Sequence, residues 1–153
     1  MLRAPIHARG AGMIGARFVV RPDPETGFHL FTPEATAAPP RDARPAIAIR
    51  LAPNQDLTVA LEDAGRTAGF RHATVQGGVA SLIGARFQGA PPVDGFATEM
   101  LVRRGTIRCA PDAGPLSELD IAIVDLHGTI GAGRLVAGDN PVLMTFEGLL
   151  ESC

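Results

Sequence analysis

The sequence predicts an α+β fold, a mixed or antiparallel β-sheet carrying one main helix. Three observations predict it. Several stretches alternate apolar and polar residues with a period of two, most clearly Glu118 to Asp125. Only the stretch after Asn54 repeats apolar residues at helical spacing: Leu57, Ala60, Leu61, Ala64 and Ala68. The segments between strands are mostly short turns, which suit antiparallel neighbours better than parallel crossovers.

Composition sets the bounds. A chain of 153 residues suits one domain with a real core and some extra length. Hydrophobic residues make up 46% and charged residues 20%, the balance of a soluble globular protein. No apolar run approaches the roughly 20 residues needed to cross a membrane. The N-terminus has no long apolar signal core, so the expected location is cytoplasmic. All 14 basic residues are arginine, and the missing lysine excludes Schiff-base chemistry, PLP anchoring and a P-loop. With neither Trp nor Tyr, only Phe, His and Arg could stack on bases. A net charge of -2 gives no global basic footprint for nucleic acid, although a local arginine patch stays open. Cys109 and Cys153 make neither a disulfide framework nor a zinc knuckle, and read as a buried small residue and a terminal thiol.

Taken in order, residues 1–32 form a β-rich extension. It holds a strand at Ala16–Val20, a turn from Pro22 to Gly27 and a strand at Phe28–Phe31. Residues 33–45, with four prolines, read as an extended linker. A compact unit, 46–153, opens with a strand at Ala46–Leu51. A helix follows, with Asn54 as its cap, Asp56 near its positive end and Gly69 closing it. His72–Gln76 is the next strand and ends in Gly77-Gly78; Leu82 to Phe87 continues after a break. Glu99 to Cys109 reads as a hairpin around Arg104-Gly105, and Val142 to Leu150 as the last strand. The words Ile14-Gly15-Ala16-Arg17-Phe18 and Ile83-Gly84-Ala85-Arg86-Phe87 repeat, each followed at similar distance by Gly-Phe. This is either chance in a chain rich in Gly, Ala and Arg, or the remnant of a second copy of the unit sharing one sheet.

The stretch from Ser117 to Gly138 organises the rest. A strand meets a turn at Leu126-His127-Gly128 and returns as a second strand. With the hairpin centred on His127, Asp120 stands opposite Arg134, and Glu118 shares their face two residues along. Two acids and one arginine then converge on one side of a sheet. His127 reads as a solvated turn residue, His72 as core or rim, and Gln76-Gly77-Gly78 as a sheet bend rather than a phosphate cradle.

From Ile47 to Glu151 the chain resembles the PPC domain, found in plants and prokaryotes and accompanied in plants by AT-hooks in nuclear DNA-binding proteins. Four stretches carry the resemblance. Ile49 to Leu57 matches an Arg-Leu, a short turn and an Asp-Leu opening a helix. Ala73 to Leu82 matches a strand ending in a Gly-Ser turn. Phe96 to Leu101 matches a Phe-Glu-Ile-Leu strand. Leu119 to Gly138 matches the signature hairpin, with Thr145-Phe146-Glu147 as the closing Thr-x-Glu strand. The resemblance implies a PPC-type fold, a homotrimer and a role in DNA binding or regulation.

Many prokaryotic members read Pro-His-Leu-His and Gly-Gly-His-Leu in that hairpin, and those histidines can hold a metal. Here the positions are Ser117-Glu118-Leu119-Asp120 and Ala132-Gly133-Arg134-Leu135. Arginine stays protonated and cannot be a ligand, and two carboxylates beside a guanidinium make a poor zinc site. The expectation is therefore no metal and no cofactor. Glu118, Asp120 and Arg134 are read as a charge network in the metal's place, with a small-anion site and a residual metal site as alternatives. The expected function is a non-catalytic trimeric module. The alternative is a small-anion binder or lyase-like enzyme using that cluster, by analogy of fold with acetolactate decarboxylase. Any DNA contact would fall to Arg103, Arg104 and Arg108, since the chain has no AT-hook.

Overall fold

The structure, a computed structural model, describes residue 10, residues 12–113 and residues 116–153. Residues 1–9 and 11 of the expected N-terminal extension lie outside the described residues. In chain order the elements are β1 (Ala16–Pro22), β2 (His29–Ala35), β3 (Ala46–Leu51), α1 (Leu57–Thr67), β4 (His72–Leu82), β5 (Thr98–Arg108), β6 (Glu118–Asp125), β7 (Ile130–Arg134) and β8 (Val142–Ser152). Six strands form one antiparallel sheet in the order β3-β8-β4-β5-β6-β7, and β1 and β2 pair separately. One helix on an antiparallel sheet is the α+β architecture the periodicities predict.

The inner face of the sheet is the core. Leu51, Val75, Leu82, Met100, Ile107, Leu119, Ile121, Phe146 and Leu150 are buried there, with Leu57 and Leu61 of α1 packed against them. Each such side chain removed from water contributes about 1.5–3 kcal/mol. Phe146 lies fully buried between Gly78 and Gly148, where a Cβ would overlap its ring. Gly65 plays the same part on the helix: a Cβ there would overlap Cys109 Sγ, so the helix comes close to the end of β5. Burial pushes the Cys109 thiol up from its usual range, which keeps it protonated and inert.

Several local expectations are corrected. The helix cap is Asp56, not Asn54: one Asp56 oxygen accepts the Val59 N–H at 2.9 Å and the other accepts the Asn140 N–H at 2.7 Å. Asn54 instead turns the chain at φ 63°. Ala68 is exposed at the helix end, and Thr58 and Gly65 are buried in its stead; Gly69 closes the helix at φ 78° as expected.

β4 does not stop at Gly77-Gly78 but passes through a bulge between Val75 and Gly77 and continues to Leu82. β5 is one strand, not a hairpin. Gly105 does not turn the chain; a Cβ there would lie 2.7 Å from both Leu119 and Val75, so the glycine serves close packing. The extra residue is Arg103, bulged between Val102 and Arg104. β2 runs beyond Phe31 through Pro33, Glu34 and Ala35, into the residues read as linker.

β1 and β2 do not join the main sheet, so the idea of two copies sharing one sheet fails. They reach instead toward β3 and β8. The anchor is Asp23 in their turn, which accepts from the Thr26 backbone and hydroxyl and pairs with Arg50 of β3 at 2.8 Å. The repeated words do share a local geometry: Gly15 and Gly84 are both left-handed, and Arg17 and Arg86 pair with Glu34 and Asp94.

The Thr26 hydrogen bonds, then Arg50, hold the Asp23 carboxyl below the usual carboxylate range. A depressed carboxyl contributes stability that is present above its unfolded value and is lost as pH falls through the folded one. Acidification below about pH 4 should therefore release β1–β2 while the main sheet persists. Amide exchange measured residue by residue should rise first in β1 and β2, and Asp23→Asn should show that rise already at neutral pH. Equal protection of the hairpin in the two proteins would refute the anchor.

Candidate charge cluster on the sheet surface

β6 alternates strictly. Leu119, Ile121 and Ile123 enter the core, so Glu118 and Asp120 must point to the opposite face. The start of the strand is fixed by Ser117, whose hydroxyl accepts the Arg108 N–H at 2.8 Å and donates to Glu62 of α1 at 2.5 Å. The turn is fixed by Asp125, which accepts the N–H groups of His127 and Thr129, each at 2.8 Å, with Gly128 at φ 81°. The Thr129 N–H, then that of His127, holds this carboxyl below its usual range against the cost of desolvation. His127 itself is exposed in the turn.

β7 then pairs so that Asp120 faces Arg134, as a hairpin centred on His127 requires. On the inner side of β7, Gly131 and Gly133 lie against Ile123 and Phe87, with a Cβ at Gly133 only 3.0 Å from the Phe87 ring. The Arg134 carbonyl accepts the Gln88 N–H at 2.8 Å, so its backbone is held from both sides.

Arg134 lies between the two acids. Its Nη1 is 2.6 Å from Glu118 Oε1 and its Nε donates to Asp120 Oδ1 at 3.1 Å. The hydrogen bond to Asp120, with the nearby charges of Asp120 and Glu118, raises the guanidinium further above its ordinary value. The side chains keep 37% (Arg134), 55% (Glu118) and 30% (Asp120) of their surface exposed. Water therefore screens the pairs and they add little to stability.

The cluster has a fourth member that the sequence reading assigned elsewhere. Arg104 of β5 stands opposite Asp120 on the other side from Arg134. The Arg103 bulge puts it there, and no sequence signal marks that bulge. Arg103 and Arg104 are exposed and Arg108, beside His72, is half-buried; among the described residues none of the three has an ion pair. Gln76, at the β4 bulge, donates to Glu151.

The donor set does not fit a metal. Among the described residues no three His, Cys, Asp or Glu side chains are grouped to hold one. Glu118 and Asp120 already share a guanidinium, which would repel a dication. An anion fares no better beside Arg134: Glu118 and Asp120 engage its Nη1 and Nε, and their two negative charges would repel it.

No protein-family model matches the chain, and no curated protein matches it either. Solved structures do. A hypothetical protein from Salmonella enterica is 23% identical at a TM-score of 0.55, over 72% of this chain and 80% of that one. A plant- and prokaryote-conserved (PPC) protein from Pyrococcus horikoshii is 14% identical at 0.58, over 71% and 78%. A candidate DNA-binding protein from Ralstonia eutropha JMP134 is 15% identical at 0.54, over 68% and 75%. The chain therefore has the PPC-type fold.

The two faces of β6 should respond differently to substitution. Arg134→Gln should leave the urea midpoint nearly unchanged, because its partners remain solvated. Leu119→Ala, one residue from Asp120 but wholly inside, should cost about 2–5 kcal/mol. A large loss for Arg134→Gln would instead make the cluster a structural element of the core.

Proposed function

We propose that the chain is a member of the PPC family: a non-catalytic module, homotrimeric and cytoplasmic, with an arginine–carboxylate cluster where other prokaryotic members carry histidines. The observation that carries this reading is Arg134 lying between Glu118 and Asp120, at 2.6 and 3.1 Å. The fixed guanidinium supplies the positive charge that a metal would otherwise bring, and it is already neutralised. A lyase needs an electrophile to stabilise an enediolate. A guanidinium held by two acids has little capacity left for that, so the lyase and small-anion readings lose support. In this reading residues 46–153 are the module and residues 1–45 an addition to it.

The metal-free reading has a direct test, because the hairpin presents all three positions on one face. The triple variant Glu118→His, Asp120→His, Arg134→His should take up about one zinc per chain in equilibrium dialysis, while the natural sequence takes up none. Zinc uptake by the natural sequence would overturn the proposal.

DNA binding is the second reading. The name of the R. eutropha protein favours it, as do Arg103, Arg104 and Arg108, which have no ion pair among the described residues. Any such binding should be weak, indifferent to sequence, and lost on raising salt from about 50 to 200 mM. Fluorescence anisotropy with a labelled duplex would show this. Tight binding with a flat salt response, or none at low salt, would exclude an arginine-patch mechanism.

A further inference from the structure

A groove of about 390 Å³ runs between the β1–β2 hairpin and the outer face of the main sheet. Phe28 and Leu30 of the hairpin form one wall. Val79 and Met144 of the sheet lie in the other, with Glu99 and Glu147 beside them. Phe28 is 60% exposed and Val79 56%, so both apolar surfaces are open to an occupant. Register fixes the two acids. Glu147 stands opposite Val79 on one side of β4, and Glu99 stands opposite Ser81 on the other. With strands about 4.8 Å apart and an offset of two residues, their Cα atoms lie about 12 Å apart, with β4 between them.

Charge selects the occupant. The Thr145 hydroxyl donates to Glu147 Oε1 at 3.1 Å, but among the described residues neither Glu99 nor Glu147 has an ion pair. Arg50 is near Glu147 and is already committed: its Nη2 is 2.8 Å from Asp23, and its Nε donates to the Thr145 hydroxyl at 3.4 Å. Burial, helped by the charge of Glu99, pushes the Glu147 carboxyl up from its usual range against the pull of Thr145 and Arg50. Ser81, 7% exposed, lines the same groove; its hydroxyl accepts the Met144 N–H at 3.2 Å and has a second lone pair for another N–H donor. Two unanswered carboxylates flanking an apolar floor, under an aromatic ring, match positive charge carried on an apolar body. A phosphate or a nucleic acid would be repelled, and a small inorganic cation would leave Phe28 and Val79 uncovered.

We propose that this groove binds an aliphatic diamine, one ammonium group at Glu147 and the other at Glu99, with the alkyl stem over Val79 and against Phe28. The site is separate from the Glu118–Asp120–Arg134 cluster and does not depend on the number of chains in the assembly.

Isothermal titration calorimetry of the full chain with putrescine and cadaverine tests it. At least one of the two should bind, one molecule per chain. Butylamine, with a single ammonium, should bind at least about tenfold more weakly, and butanediol not at all. Glu147→Gln and Glu99→Gln should each weaken diamine binding at least about tenfold with an unchanged circular dichroism spectrum; Glu99 is exposed, so its variant keeps the fold. Asp63→Asn removes the same charge from α1, on the other face of the sheet, and should leave the affinity as it was. Binding of neither diamine would overturn the proposal, as would full affinity in both Gln variants. An equal loss in Asp63→Asn would reduce the effect to general attraction by an acidic chain and overturn the site. Butylamine binding as tightly as the diamines would overturn the two-headed ligand.

Discussion

A six-stranded sheet has two faces, and the described residues hold one helix to cover them. α1 lies on the inner face, where Leu57 and Leu61 meet Leu51, Ile107 and Phe146. Everything else about the molecule follows from the face left over. A sheet face cannot stay apolar in water, so it must be made polar, covered by its own chain, or covered by another. This protein combines these solutions. The end of β6 and β7 carries Glu118, Asp120 and Arg134, the β3–β8 side is approached by β1–β2, and the remainder keeps Leu101 and Ile130 exposed.

The charge cluster is held accurately although it contributes little to stability, because the other face of the same strands positions it. Leu119 and Ile121 fix β6 in the core, Ser117 ties its start to Glu62 of the helix, and Phe87 packs against the glycines of β7. With the backbone placed by packing, the residues at 118, 120 and 134 can change in kind without loss of the fold. That freedom lets a PPC-type hairpin carry an ion cluster here.

The parts legible in the sequence were those governed by a simple period or a single turn. Alternation from Glu118 to Asp125 and a glycine at 128 were enough to place Asp120 opposite Arg134. The stretch Ala46–Leu51 was read with its observed bounds. The bulges were not legible. Gly77 and Gly105 suggested breaks, since glycine favours turns, yet at Gly105 it answers to the close approach of Leu119 and Val75, which the sequence cannot display. The Arg103 bulge in turn decided that Arg104 faces Asp120. The helix start is ambiguous in the sequence because Asn54 and Asp56 are both good caps; Asn140, distant in sequence, donates to Asp56 and favours it.

Native mass spectrometry of the full chain, purified without added metal, bears most directly on the central claim that the cluster is an ion-paired, metal-free element of an assembling module. The account predicts an oligomer, three chains, whose mass equals that of the bare polypeptides. A metal ion retained on each subunit, or a single chain with no associated form, would contradict it.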